Sequence, residues 1–249
     1  MEKSKIAEWE LHGEFGALVI NNPPQNYLDD LEFAHIDDVR RWTGDDSPVK
    51  GAIITGKGRH FCAGANRDNI FKLRNEKEVQ ETARRCNSLF NVLYKSSIPT
   101  AAAIEGACWG GGLELALSCH IRVCSEKALF SLPEAGVGIM PLFAVTLLPK
   151  LIGIHKTLDL ALTTRLIDAQ EALKWGIVDY VVPSKQSFDF SLELLKKVTR
   201  NREASVIRAA MKSLRNGRDL PLDEAAEKET VLAASLVLEQ LKIRGTAGE

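Results

Sequence analysis

Short apolar runs alternate along this chain with glycine-marked loops and helical stretches, and that alternation constrains the architecture more than any other feature. Paired strands are expected near Ile6 to Leu11 and Ala17 to Ile20, bounded by Gly13, Gly16 and Pro23-Pro24. Leu28, Leu31, Ala34, Val39 and Trp42 then recur at roughly helical spacing, and Gly44 with Pro48 ends the pattern. The run "VKGAIITG" reads as a buried strand ending at Gly56, and a long polar helix reaching about Tyr94 follows the loop "KGRHFCAGAN". A strand is expected around Thr100 to Ile104, and others in "HIRVCSE", "ALFSLPE" and "GIVDYVVP", each leading into helical sequence. Such an order means an α/β core with neighbouring parallel strands. From about Ser187 the pattern is only helical, over Leu192 to Val198, Val206 to Leu214 and Leu222 to Leu241. The chain therefore divides into a core, 1–186, and a helical region, 187–249, which packs on its own core or on a neighbouring subunit.

Composition excludes several classes of partner. Of 249 residues, 45% are apolar and 26% charged, which is globular rather than disordered. The net charge is −1 with the cations scattered, so no basic stripe for nucleic acid is expected. No run approaches the roughly 20 apolar residues of a membrane helix, and the expectation is a cytoplasmic protein without a membrane partner. Cys62, Cys86, Cys108, Cys119 and Cys124 lack CxxC spacing and read as reduced thiols, while His12, His35, His60, His120 and His155 are scattered without metal spacing. No metal site is expected.

The chemistry concentrates at three glycine- or proline-marked corners. In "EGACWGGGLELAL" three glycines, Gly110 to Gly112, run straight into an apolar helix. Glycine is the most costly residue to order, so the run implies a close approach of backbone to something else. A helix starting near Gly110 or Gly111 leaves its first N–H groups free to hold a developing oxyanion, with Glu114 on the same turn. The competing reading is that Glu114 merely complements the helix dipole, although a capping box would need Ser or Thr where Gly111 stands. In "FCAGAN", Gly64 permits a turn that exposes the N–H of Ala65, and a plain tight turn explains the same glycine. In "FSLPEAGVGIMP", Pro133 suits the first position of a helix and Glu134 its first turn, again a dipole-complementing place. Two glutamates twenty residues apart, each opening a helix after a strand, could also converge as an acid/base pair.

Together, "INNPPQNYL", "AIITGKGRHFCAGAN", "AAIEGACWGGGLELALSC" and "FSLPEAGVGIMP" resemble, in order, the motifs of the enoyl-CoA hydratase/isomerase (crotonase) family over about residues 8 to 185. The resemblance implies a crotonase-like spiral core of ββα turns with a C-terminal α-helical region, trimers or dimers of trimers, and an acyl-CoA or acyl-carrier-protein thioester as substrate with no further cofactor. It matches Ala65 and Gly111 to the two peptide donors of the oxyanion hole, and Glu114 and Glu134 to the catalytic carboxylates. It draws the substrate pocket from Ala63, Trp109, Gly110, Leu142 and Phe143. Pro141-Leu142-Phe143-Ala144-Val145 stands where the family has a glycine-rich turn, so bulk is expected beside Glu134; Asn66 and His120 stand where the family has aspartates. The implied activity is addition of water to an α,β-unsaturated acyl thioester, or its removal. A carrier-protein-linked dehydratase or decarboxylase of a polyketide-type pathway is the second reading, and a non-catalytic thioester-binding scaffold the third.

Overall fold

A computed structural model describes residues 6–28 and 33–246. The chain opens with an antiparallel hairpin, β1 (Ala7–His12) and β2 (Phe15–Ile20), turned at Gly13, whose φ of 65° suits a residue without Cβ. Next come α1 (Ile36–Thr43), β3 (Gly51–Gly56), a short α2 (Arg67–Ile70) and α3 (Glu76–Tyr94). Asn75 caps α3: its Oδ1 accepts from Glu78 N at 2.9 Å, and the Glu78 carboxylate reaches back to accept from Arg74 N and from Asn75 Nδ2. Its buried side chains, Cys86, Leu89, Phe90 and Leu93, keep the i, i+3, i+4, i+7 spacing of one helical face.

Two pairs of strands then follow, each passing from one sheet to another. β4 (Thr100–Ile104) leads to β5 (Ala107–Trp109) and α4 (Gly111–Leu117); β6 (Ile121–Ser125) leads to β7 (Leu129–Ser131) and a 3-10 turn, Glu134–Val137. Helices α5 (Ala144–Ile152) and α6 (Ile154–Thr163), β8 (Ile167–Asp168), α7 (Ala169–Trp175) and β9 (Tyr180–Val182) complete this part. The first sheet runs β1-β2-β3-β4-β6-β9, parallel except for the hairpin, and the second runs β5-β7-β8. Cys62 bridges Cys108 of β5, so the chain after β3 joins the second sheet just as β5 and β7 do. That repeated step from sheet to sheet, then to a helix, is the spiral of ββα turns.

Side chains alternate across the first sheet as strand geometry requires. Leu18, Ile20, Ile54, Ala102 and Ile104 face the main core with α3 and α4; Phe15, Ala17, Ile53, Ala101 and Ala103 face the other way. That second face is covered by Phe188, Leu192 and Leu195 of α8 (Ser187–Thr199). The helix that opens the expected appendage thus covers the sheet, while α9 (Ala204–Asp219) and α10 (Leu222–Thr246) pair with each other.

Three expectations change. The helical spacing from Leu28 yields a helix only from Ile36, because Leu28 N donates to Gly64 O at 2.9 Å and its buried side chain serves the neighbouring loop; Leu31 lies outside the described residues. No helix follows β6, since a tight turn at Glu126-Lys127 sends the chain directly into β7. The strand expected from Gly176 begins at Tyr180, because Gly176 at φ 84° closes α7 and Ile177 N donates to Ala172 O.

The glycine run has its explanation in packing. A Cβ on Gly112 would overlap the carbonyl oxygen of Cys62, which is rigid backbone of the second sheet. Gly112→Ala is therefore expected to cost at least the ~3 kcal/mol upper range of ordinary overpacking, because neither partner can move aside. A thermal melt close to that of the parent protein would show that the two segments are not in contact.

Candidate active site

The site forms where two turns meet. After β3, the chain from Phe61 to Asn66 is fixed from several directions: Cys62 N donates to Ala107 O, Ala63 N to Gln25 O, and the buried Asn26 amide donates to the carbonyls of Lys57 and His60 at 3.0 and 2.6 Å. Gly64 turns at φ 92°, and Asn66 caps α2 by accepting from Asp68 N. The second turn, Trp109 to Gly111, is held by Trp109 N to Cys62 O and Gly110 N to Ser131 O.

The two turns touch. A Cβ on Gly64 would lie 2.8 Å from Trp109 O and 3.3 Å from Gly111 N, and one on Gly111 would lie 3.6 Å from Ala65 N. Among the described residues, the N–H groups of Ala65 and Gly111 donate to no backbone or side-chain acceptor. Gly110 is constrained twice: its φ is 52°, and a Cβ there would lie 2.5 Å from Glu134 Oε1. The missing side chain lets the Glu134 carboxyl lie against the turn that carries Gly111.

A cavity of about 620 Å³ opens at this junction. Of the residues expected from sequence, Ala63, Ala65, Trp109, Gly110 and Glu134 line it. Gly111 lies immediately behind, packed on Gly64 and Ala65. Leu142 and Phe143 do not line it: the Phe143 ring packs against Phe90 and Tyr94, with centroids 5.7 and 5.8 Å away. The physical reason is Glu114, whose Oε1 accepts from Phe143 N at 2.6 Å and Ala144 N at 3.0 Å and so draws the start of α5 onto α4. Glu114 is itself buried behind the cavity wall. The dipole-complementing reading of Glu114 therefore has a basis, but at the N-terminus of α5 rather than of its own helix.

Both carboxyls favour protons more than an ordinary glutamate. Burial raises Glu114, against the opposing pull of the Ala144, Phe143 and Leu142 N–H groups. Glu134 is pushed up to about 7, first by burial, against its own peptide N–H; the Glu114 charge adds to the rise and Arg67 opposes it. Glu134 Oε2 is buried without a hydrogen-bond partner among the described residues, which costs more for an ionised than for a neutral carboxyl.

Several lining residues escaped the sequence reading. Tyr27, Ile70, Val137, Ile139 and Leu166 supply apolar surface, and Ser131 and Thr164 supply hydroxyls. Ser131 could have been suspected, being directly before the Glu134 turn; Thr164 and Leu166 come from a distant connection with no local motif.

The enoyl-CoA hydratase/isomerase family model matches residues 15–246. The chain belongs to the enoyl-CoA hydratase/isomerase family. DspI of Pseudomonas aeruginosa has 30% identity and a TM-score of 0.84, with 95% of this chain and 97% of that one covered. An enoyl-CoA hydratase from Bacillus anthracis has 26% identity and a TM-score of 0.84, covering 97% and 96%. Among curated relatives, the fatty acid oxidation complex subunit alpha of Shewanella frigidimarina is 38% identical over 190 residues, 74% of this chain and 27% of that protein. That of Idiomarina loihiensis is 33% identical over 239 residues, 92% and 34% respectively. The chain thus spans about a third or less of the length of these curated relatives. Membership in the enoyl-CoA hydratase/isomerase family agrees with the spiral fold. Among the described residues, no group of three or more His, Cys, Asp or Glu is placed to hold a metal, and no helix is long and apolar enough to cross a membrane.

The raised Glu134 pKa has a stability consequence whose sign is fixed. Between about 4.5, where an unfolded glutamate ionises, and about 7, the folded chain keeps a proton that the unfolded chain has lost. Stability from this group is complete below that window and is lost as pH rises through it. Glu134→Gln should therefore melt progressively higher than the parent from pH 4.5 to 7, with a constant difference above. Melting curves across that range check it; a gap independent of pH would mean that Glu134 ionises normally.

Proposed function

We propose that this chain is a hydro-lyase that adds water across the α,β double bond of an enoyl thioester, or removes it, using Glu134 and Glu114 with the N–H groups of Ala65 and Gly111. The observation that carries the reading is the junction itself: a carboxyl poised near neutrality lies against the turn whose unengaged N–H stands beside that of Ala65. With the thioester oxygen on those two donors, negative charge arriving there is stabilised by groups already in place. One carboxylate takes a proton from water as its oxygen bonds the β carbon, and the double-bond electrons pass to the thioester oxygen as an enolate. The enolate then collapses, the α carbon takes a proton from a carboxyl, and the C–H bond completes the addition. A group with pKa about 7 serves in either direction, since both its forms are populated at neutral pH. Proton transfer of this kind needs no redox cofactor. Glu114 acts on this step through its charge on Glu134 and by fixing the start of α5, to which its Oε1 is tied.

An acyl-CoA thioester is the carrier this reading favours. The bulk expected beside Glu134 does not narrow the cavity, because the Phe143 ring packs on α3. We also infer a homotrimer or dimer of trimers, supported by apolar side chains left exposed on α6 (Ile154, Leu158, Leu162) and α10 (Val237, Leu238, Leu241). On this reading the helices after α8 serve assembly, and five free, buried cysteines suit a reducing cytoplasm.

Loss of the conjugated thioester absorbance, followed over enoyl-CoA esters of varied length and branching, tests the reaction. Glu134→Gln and Glu114→Gln are each expected to lower turnover by about 10² or more. Ala65→Pro removes one donor and should cost about 2.7–4 kcal/mol in transition-state stabilisation. Failure of every enoyl ester to react, or a Glu134→Gln variant as fast as its parent, defeats the proposal. Light scattering should give three or six times the chain mass.

A further inference from the structure

Thr164 is a β-branched residue in the left-handed region, at φ 55° and ψ 17°, between α6 and β8. Such residues rarely adopt this conformation, and it persists only where the surroundings impose it. Thr164 caps the C-terminus of α6, where a left-handed residue commonly ends a helix, and its neighbour ties the connection down. Arg165 Nε donates to Asp159 Oδ2 at 2.7 Å, and its two terminal nitrogens donate to the two oxygens of Glu171 at 3.0 and 2.7 Å. The guanidinium also lies over the Trp175 ring, 5.0 Å from its centroid. A planar cation held in a fork by two carboxylates and an aromatic face leaves the connection little freedom.

What this clamp supports is the segment that carries Glu134. The Thr164 carbonyl accepts from Ser131 Oγ at 3.0 Å, at the end of β7 and three residues before the glutamate. The Thr164 side chain faces the 3-10 turn two residues after it: a Cβ on Gly136 would lie 3.7 Å from Thr164 Cγ2 and 3.8 Å from Oγ1. Thr164 thus holds the chain before Glu134 through a hydrogen bond and faces the turn after it, and Ser131, Glu134 and Thr164 all line the same cavity.

We propose that Thr164 is a positioning residue: the strained turn locked by Arg165, Asp159 and Glu171 fixes the segment from Ser131 to Val137 and so holds the Glu134 carboxyl against Gly110. The inference rests on the hydro-lyase reading for its kinetic consequence, but the placement of Glu134 can be measured without turnover. Glycine is at ease at φ 55°, so Thr164→Gly should fold and melt at least as high as the parent, while removing the side chain that faces the turn and giving the connection more freedom. Small misplacements of a reacting group are costly, up to about 10² for an ångström. Thr164→Gly should therefore lower kcat about tenfold or more with KM changed less than about threefold, and Thr164→Val, which keeps the shape, should restore kcat to within about threefold of the parent.

The independent readout is the Glu134 carboxyl itself, followed by carbon NMR in the full chain and assigned by its loss in Glu134→Gln. Burial raises this group, with Glu114 and Arg67 the charged residues acting on it. A loosened turn admits water, so its midpoint should move down from about 7 toward ordinary values in Thr164→Gly and stay in place in Thr164→Val. If the parent hydrates no enoyl ester, the reaction assignment fails while this titration still decides the brace. An unchanged midpoint in Thr164→Gly, or in an active enzyme an unchanged kcat, overturns the proposal.

Discussion

The carbonyl of Cys62 occupies the space that any side chain on Gly112 would need, and the rest of the site depends on that contact. It joins the chain leaving β3 to the start of α4, two segments separated by the whole of α3 and β4. Because the contact is backbone against backbone, it admits no adjustment by rotamer, and it sets Gly64 and Ala65 against Gly110 and Gly111. The hydrogen bonds from Cys62 N to Ala107 O and from Trp109 N to Cys62 O align the two segments as neighbouring strands. Two peptide N–H groups from distant places in the chain then stand side by side without any residue whose side chain does chemistry. The strand pairing that builds the core is the same pairing that builds the candidate site.

Glu114 illustrates how one carboxyl can belong to both. Its Oε1 accepts two N–H groups at the start of α5, where they have no helical partners of their own, so it replaces a cap that Phe143 cannot provide. That bond also fixes the direction of the Phe143 ring, which completes the aromatic contact with Phe90 and Tyr94. A buried carboxyl so engaged cannot turn freely toward a substrate. Its charge nevertheless reaches Glu134 and helps keep that group near neutrality. The division of labour between the glutamates follows from surroundings rather than from residue type, one being held by peptide groups and the other left with a buried oxygen unpartnered.

The parts of the fold legible in the sequence were those governed by local pattern. β3, β4 and α3 follow from apolar runs and periodicity, and the start of α4 from glycine chemistry. The motif order also led to the turns carrying Ala65, Gly111 and Glu134. Misreadings arose where a distant partner outweighed the local signal: Leu28 has helical spacing with Ala34 and Val39 but pairs its backbone with the loop at Gly64. Leu142 and Phe143 stand near the Glu134 turn in sequence, yet Glu114 determines which way the ring points. Thr164 gave no signal at all, since a threonine in the left-handed region is indistinguishable in sequence from any other.

That blind spot reflects how the site is built. Glycines mark positions where backbone must approach backbone, and a reader of the sequence can find them because the residue type itself records the constraint. Thr164 records the opposite case, a left-handed residue at the end of α6 whose neighbour Arg165 is paired with two carboxylates. Those partners lie on α6 and α7, outside every motif that points to the chemistry. The cavity is thus bounded on one side by turns that glycine makes possible and on the other by a turn that charge holds in place. The Glu134 segment lies between them, touching Gly110 through its carboxyl and tied to Thr164 through Ser131. A carboxyl kept near neutrality by burial stays so only while both walls exclude water from it, which makes the position of the second wall as consequential for its proton as the charges nearby.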